Sequence, residues 1–221
     1  ETQDLEIETI FIGGGTPSLL KSKYINLIVN ALHKKHNLGN IKEFTIEANP
    51  GEAPKKRLEN FLKFGINRLS IGVQSLNPNI LRFLTRTHSP NEVFKTFQNA
   101  RNIGFNNINC DLLYSIPNQS WNRWSRDLKE IIKLKPDHIS AYSLTSEKET
   151  QLFKLIKEKK ITMPPDEQKS KWFLDTHNML KNNFYMPYEI SSFSKKGYEC
   201  QHNLNYWKIL PYVGYGPSAH S

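Results

Sequence analysis

Five short runs rich in Ile, Val, Leu and Phe recur along the chain, at residues 8–12, 43–48, 68–73, 107–113 and 138–144, with segments of helical periodicity between them. Strands joined through helices run parallel, because each helix carries the chain back to the end where the strand began. Right-handed crossovers in series then build a barrel, a part-barrel or an open doubly wound sheet. In each of these, ligand-binding side chains gather at the C-terminal ends of the strands. The runs read as strands covered on both faces.

The intervening segments show where helices begin and what they bury. Tyr24, Leu27, Ile28, Ala31 and Leu32 predict one apolar face, and Leu58, Phe61 and Leu62 another, just after Pro54. Ser89-Pro90-Asn91-Glu92 is a capping box with proline at the first helical position. Val93, Phe94, Phe97 and Ala100 form its stripe, and Gly104 ends it. Trp121, Trp124, Leu128, Ile131 and Ile132 form the next stripe, closed by Pro136, and its aromatics read as core packing. Beyond residue 144 the rhythm weakens. Helices are expected over 147–159 and 165–182 and a short strand over 188–191. The remainder, from residue 192, is rich in Gly, Tyr and Pro.

A length of 221 residues with 38% hydrophobic and 23% charged side chains fits one sizeable α/β domain. No apolar run approaches the roughly 18 residues of a membrane span. The polar start, Glu1-Thr2-Gln3-Asp4, does not read as a signal peptide. Two cysteines, Cys110 and Cys200, suit a reducing cytoplasm and cannot by themselves build a multi-cysteine metal site. The net charge is +9, and the densest basic cluster, residues 154–160, alternates charged with apolar residues. That pattern favours a solvated helix face over a nucleic-acid partner. The missing initiator Met and the ending Ala219-His220-Ser221 point to a fragment lacking both flanks.

Chemistry concentrates at the strand ends. Gly13-Gly14-Gly15-Thr16-Pro17 follows Ile10-Phe11-Ile12, so the first strand runs into a glycine loop whose backbone can approach a ligand closely. Glu47, Gln74, Asp111 and Thr145 fall at the ends of later strands, and Arg86 is expected on the short helix after Gln74. Parallel strands would bring all of them to one mouth. Glycine carbonyls and Glu47 accept from an ammonium group, Arg86 clamps a carboxylate, and Gln74 and Asp111 hold vicinal hydroxyls. An amino acid joined to a nucleoside, such as S-adenosylmethionine, satisfies all three.

These motifs resemble a known family. Ile12 to Ser18, Glu47-Ala48-Asn49-Pro50, Arg68 to Ser75 and Asp111 to Pro117 are similar to the radical S-adenosylmethionine family of oxygen-independent coproporphyrinogen III oxidase. The resemblance covers almost the whole chain. It implies an incomplete (β/α) TIM-like barrel spanning residues 1–221, with S-adenosylmethionine held by Gly14, Gly15, Thr16, Glu47, Gln74, Arg86 and Asp111, and with Thr145 and His220 near the adenosine. It also implies a 4Fe-4S cluster held by a cysteine triplet, which this sequence lacks, so the cluster-bearing unit is expected upstream of Glu1. The motif His202-Asn203-Leu204-Asn205-Tyr206-Trp207 resembles the signature of the heme-chaperone (HemW) branch. That branch implies heme as cargo and delivery to acceptors such as respiratory enzymes, with His202, Tyr206 and Trp207 as heme-contact candidates. The other expectation is an enzyme that oxidatively decarboxylates porphyrinogen propionates. Contact with a membrane surface is compatible with either.

Overall fold

The computed structural model describes residues 6–217 and 219–221. The five expected strands form: β1 (Thr9–Ile12), β2 (Glu43–Ala48), β3 (Arg68–Gln74), β4 (Asn107–Tyr114) and β5 (His138–Ser143). They pair in parallel and in strict chain order. Sequential order decides between the two expected architectures. A doubly wound sheet reverses direction at a switch point, whereas unbroken order keeps every right-handed crossover on one face. The helices therefore stand outside a curved, unclosed half-barrel.

Each crossover carries helix: α1 (Ser22–Lys35), α2 (Lys55–Lys63), α3 (Pro78–Phe83), α4 (Pro90–Asn102) and α5 (Trp121–Lys133). The capping box forms as expected, with Glu92 Oε2 accepting from the Ser89 N–H at 2.7 Å and the Glu92 N–H donating to Ser89 Oγ at 3.4 Å. Gly104 follows α4 at φ +108°, where a side chain would be strained. Leu58 and Phe61 of α2 and Trp124, Leu128 and Ile131 of α5 are fully buried.

Helix α1 corrects one expectation. Ile25 and Val29 are its buried residues, while Tyr24, Leu27 and Ile28 are exposed, Leu27 at 61%. The helix is apolar around much of its circumference, so spacing alone does not select the docked face. The strands also differ from an expectation of burial on two apolar faces. Phe44, Ile46, Leu69, Ile71, Ile108, Cys110 and Ile139 point outward into the core beneath the helices. The alternate positions Thr45, Arg68, Ser70, Asn109, His138 and Ser140 are buried and polar. A strand's two faces alternate with period two, so the inside of the half-barrel is a polar wall.

After β5 the chain forms α6 (Gln151–Lys157), shorter than expected, and α7 (Asp166–Lys181). The expected strand over 188–191 is instead the connection between two shorter ones, β6 (Met186–Pro187) and β7 (Ser192–Ser194). β7 pairs antiparallel with β5 and with β6, ending the sheet as β1-β2-β3-β4-β5-β7-β6. A further helix, α8 (Gln201–Trp207), follows. Among the described residues no helix is long and apolar enough to cross a membrane.

Helices α5 and α7 are locked by one buried hydrogen bond, Trp124 Nε1 donating to Thr176 Oγ1 at 2.8 Å, while the Trp124 ring stacks on Tyr114 at 5.2 Å. Thr176→Val keeps the shape and leaves the indole N–H without an acceptor. The expected cost is about 1–3 kcal/mol in urea unfolding with an unchanged m value.

Candidate functional site

The loop after β1 bends sharply. Gly14 and Gly15 hold φ of +78° and +54°, in the left-handed region that glycine enters without strain. A Cβ on Gly13 would come within 2.7 Å of the Phe11 ring and 3.2 Å of Glu47 Cδ, so this position has no room for a side chain. The bend delivers the Gly14 N–H to Glu47 Oε2 at 3.0 Å, joining the loop to the end of β2. Burial raises the Glu47 carboxyl above its ordinary range; the Gly14 N–H opposes this, and the nearby Asp111 charge adds to it.

Asn49, just beyond β2, links two expected ligand contacts. Its Nδ2 donates to Thr16 Oγ1 at 3.3 Å, and its Oδ1 accepts from Arg86 Nη1 at 3.3 Å. Arg86 lies in the loop between α3 and α4, not on α3 as the sequence suggested, because Thr85 at φ +54° turns the chain out of the helix. Gln74 ends β3 at φ +62°, next to a register shift. Asp127 of α5 clamps the turn that follows, accepting from Ser75 Oγ and, at 3.0 Å, from the Leu76 N–H.

Asp111 is held from below. Its two carboxylate oxygens accept from Ser70 Oγ and Asn109 Nδ2, each at 2.8 Å. The oxygen of Asn109 accepts from Ser140 Oγ at 3.2 Å and lies 2.6 Å from His138 Nδ1. His138 Nε2 lies 2.7 Å from the Tyr188 hydroxyl, which accepts the Cys200 N–H at 3.1 Å. Burial, aided by the Arg68 charge, holds the imidazole pKa well below its usual value, so the ring is neutral. A neutral ring with Nδ1–H donating to Asn109 and Nε2 accepting from Tyr188 satisfies every member of the chain.

These groups enclose a cavity of about 410 Å³. Among the expected contacts, Gly15, Thr16, Glu47, Gln74, Arg86 and Asp111 line it, and Gly14 stands behind Glu47. Gly72 keeps the wall open, since a Cβ there would meet Asn49 Oδ1 at 3.0 Å and Gln74 Nε2 at 3.1 Å. Thr145 is exposed just past β5 and His220 lies in the exposed tail, and neither is among the lining residues. Ser218, two residues before His220, lies outside the described residues. Sequence reading missed Arg68, Asn109, Ser140, Tyr142 and Asn203, which also line the cavity. The signal available for the strand residues was their period-two spacing.

The segment 202–207 forms α8, docked on the start of β1 and β2. Buried Glu43 accepts the Gln201 N–H at 2.9 Å and the His202 N–H at 3.1 Å. Arg68 Nε stands 3.9 Å from the same carboxylate. The His202 ring stacks on Phe11 at 5.3 Å, with Nδ1 2.9 Å from Thr9 Oγ1 and Nε2 3.2 Å from the Tyr206 hydroxyl. Burial lowers the His202 pKa, so the ring is neutral. Tyr206 packs edge-on against Tyr212 at 4.7 Å, and Trp207 is 63% exposed.

Cys110 and Cys200 are both buried; desolvation raises the Cys110 thiol and takes the Cys200 thiol to about 11. Protonated, separate thiols do not fit an iron–sulfur cluster, and among the described residues no group of three or more His, Cys, Asp or Glu side chains is arranged to hold a metal ion.

The comparisons with known proteins agree with this fold. Heme chaperone HemW of Buchnera aphidicola subsp. Schizaphis graminum is 43% identical over 218 residues, covering 99% of this chain and 57% of its own length. The mitochondrial radical S-adenosyl methionine domain-containing protein 1 of Danio rerio is 38% identical, covering 99% and 49%. The chain thus spans about half the length of these relatives. The structure of coproporphyrinogen III oxidase HemN from Escherichia coli superposes with a TM-score of 0.76 at 25% identity, over 92% of this chain and 46% of that one. The model of the radical SAM superfamily matches residues 1–131, more than half of the sequence. With its strand-end cavity and glycine bend on the same framework, the chain belongs to the radical SAM superfamily.

Proposed function

We propose that this chain is the S-adenosylmethionine-binding core of a HemW-type heme chaperone, which binds heme and passes it to acceptor proteins such as respiratory enzymes. The observation that carries the reading is the docking of α8, with its His202, Tyr206 and Trp207, on the wall that also encloses the strand-end cavity. The similarity to proteins named heme chaperones across nearly the whole chain supports the same reading.

The cavity's donor set suits S-adenosylmethionine. Glu47 keeps Oε1 for the ammonium group while Oε2 takes the Gly14 N–H. Arg86, fixed by Asn49, faces the carboxylate. Asp111, with one protein donor on each oxygen, has remaining lone pairs for ribose hydroxyls. A bound 4Fe-4S cluster would supply the electron for one-electron chemistry on S-adenosylmethionine; residues 1–221 hold no cysteine triplet to ligate it. This chain's own part is to bind and orient the cofactor.

Heme would meet the outer side of α8. Thr9 holds His202 Nδ1, which leaves Nε2, now shared with Tyr206, as the nitrogen able to reach iron. Tyr206 and Trp207 offer exposed ring faces for a porphyrin. The cytoplasm suits the two reduced thiols.

Four measurements test this. Heme titration of the full-length protein should give stoichiometric binding, weakened roughly tenfold by Trp207→Ala through the loss of stacking. Conversion of coproporphyrinogen to a vinyl product would instead make the protein an oxidase. Arg86→Ala should weaken S-adenosylmethionine binding by roughly 2–3 kcal/mol in calorimetry, because the ligand carboxylate loses a charge-assisted partner. Affinity should also fall as pH drops through the raised Glu47 pKa, since protonation removes the negative charge that pairs with the ammonium group. Glu47→Gln should abolish that dependence.

A further inference from the structure

Helix α8 presents different side chains to its two sides. His202 and Asn205 turn to β1, where both reach Thr9 Oγ1, at 2.9 and 3.3 Å. The Gln201 amide bonds back to the Glu199 carbonyl at 3.1 Å, and Tyr206 meets His202. Asn203 instead lines the strand-end cavity, as Arg68 and Tyr142 do. The helix starts 90 residues beyond Asp111, the last in chain order of the expected strand-end contacts that line the cavity, yet it supplies part of that enclosure.

The position of Asn203 is set by polar contacts at the helix start. Glu43 accepts the first two amides of α8, while its ion-pair partner Arg68 lines the cavity and makes no hydrogen bond through Nε among the described residues. From the far side, the Cys200 N–H closes the chain of hydrogen bonds that runs through Tyr188, His138 and Asn109 to Asp111. The cavity's acidic wall and the helix carrying Asn203 are thus parts of one hydrogen-bonded structure.

We propose that Asn203 is a ligand-contacting residue of the cofactor cavity, its amide hydrogen-bonding the nucleoside-bearing ligand and making α8 a shared wall between the cofactor and the exposed aromatic side chains Tyr206 and Trp207. An amide suits this place because it both donates and accepts, and so meets a polar, uncharged part of the ligand without adding charge beside Asp111. The proposal rests on the reading of the cavity as the S-adenosylmethionine site.

The test is isothermal titration of the full-length protein with S-adenosylmethionine, comparing the parent with Asn203→Ala and Asn205→Ala. Asn205 sits on the same helix but bonds Thr9, so its variant reports on disturbance of α8 alone. Asn203→Ala should weaken binding about three- to tenfold, the range of one neutral hydrogen bond. Asn205→Ala should stay within about twofold. Equal affinity of Asn203→Ala and parent, with an unchanged thermal midpoint, overturns the contact. Equal weakening by both variants also overturns it, because the effect then belongs to the helix as a whole. A parent that binds no S-adenosylmethionine overturns the cavity reading along with it, so the two failures are distinct.

Discussion

The amide of Asn109 is where the inner face of the half-barrel is organised. A primary amide has two N–H donors and one oxygen with two acceptor sites, and here all four are engaged: Ser70 and Asp111 receive, His138 and Ser140 give. The partners come from three adjacent strands, so the network exists only in the observed register, Ser70 opposite Asn109 and Asn109 opposite His138. A slip by one residue would turn this polar row into the apolar core and bring Ile71, Ile108 and Ile139 inward. Strand register, polar interior and the orientation of Asp111 are therefore a single constraint.

That constraint explains what was legible in the sequence. The strands were, because their outward residues are uniformly apolar and the helices between them carry strong spacing and capping signals. The positions of Glu47, Gln74 and Asp111 at one mouth were also legible, since a polar residue at a strand end stands out against the run before it. Arg68, Asn109, His138 and Ser140 were not, because their meaning lies in cross-strand neighbours that one sequence does not display. Arg68 reads locally as a charged residue starting a strand, and only the fold puts it 2% exposed inside the cavity wall.

Other departures have local causes. β6 and β7 are two and three residues long, too short for any period to emerge. Tyr188, read as the start of a strand, occupies their connection, where its hydroxyl joins His138 to the Cys200 N–H. In α1 the apolar residues outnumber the places on the docked face, so sheet contact selects Ile25 and Val29 and leaves Leu27 and Ile28 in solvent. Each case is a choice made by tertiary contact between local options of similar cost.

The buried Glu43 and Arg68 show why charges persist at the base of the cavity. Their closest approach is 3.9 Å, too long for a good hydrogen bond, and a pair of this kind does not offset the desolvation of two ions through attraction alone. The balance for Glu43 comes from elsewhere: two successive backbone amides of α8 donate to it, and a carboxylate at a helix start is favoured by the helix dipole. Apolar side chains at 43 and 68 would hold β2 against β3 as well. They would leave the α8 amides without acceptors, and the helix bearing His202, Asn203 and Trp207 would lose the contact that fixes where it begins. The pair is thus better understood as a positional device than as a source of stability, and what it positions is the wall between the strand-end cavity and the aromatic surface.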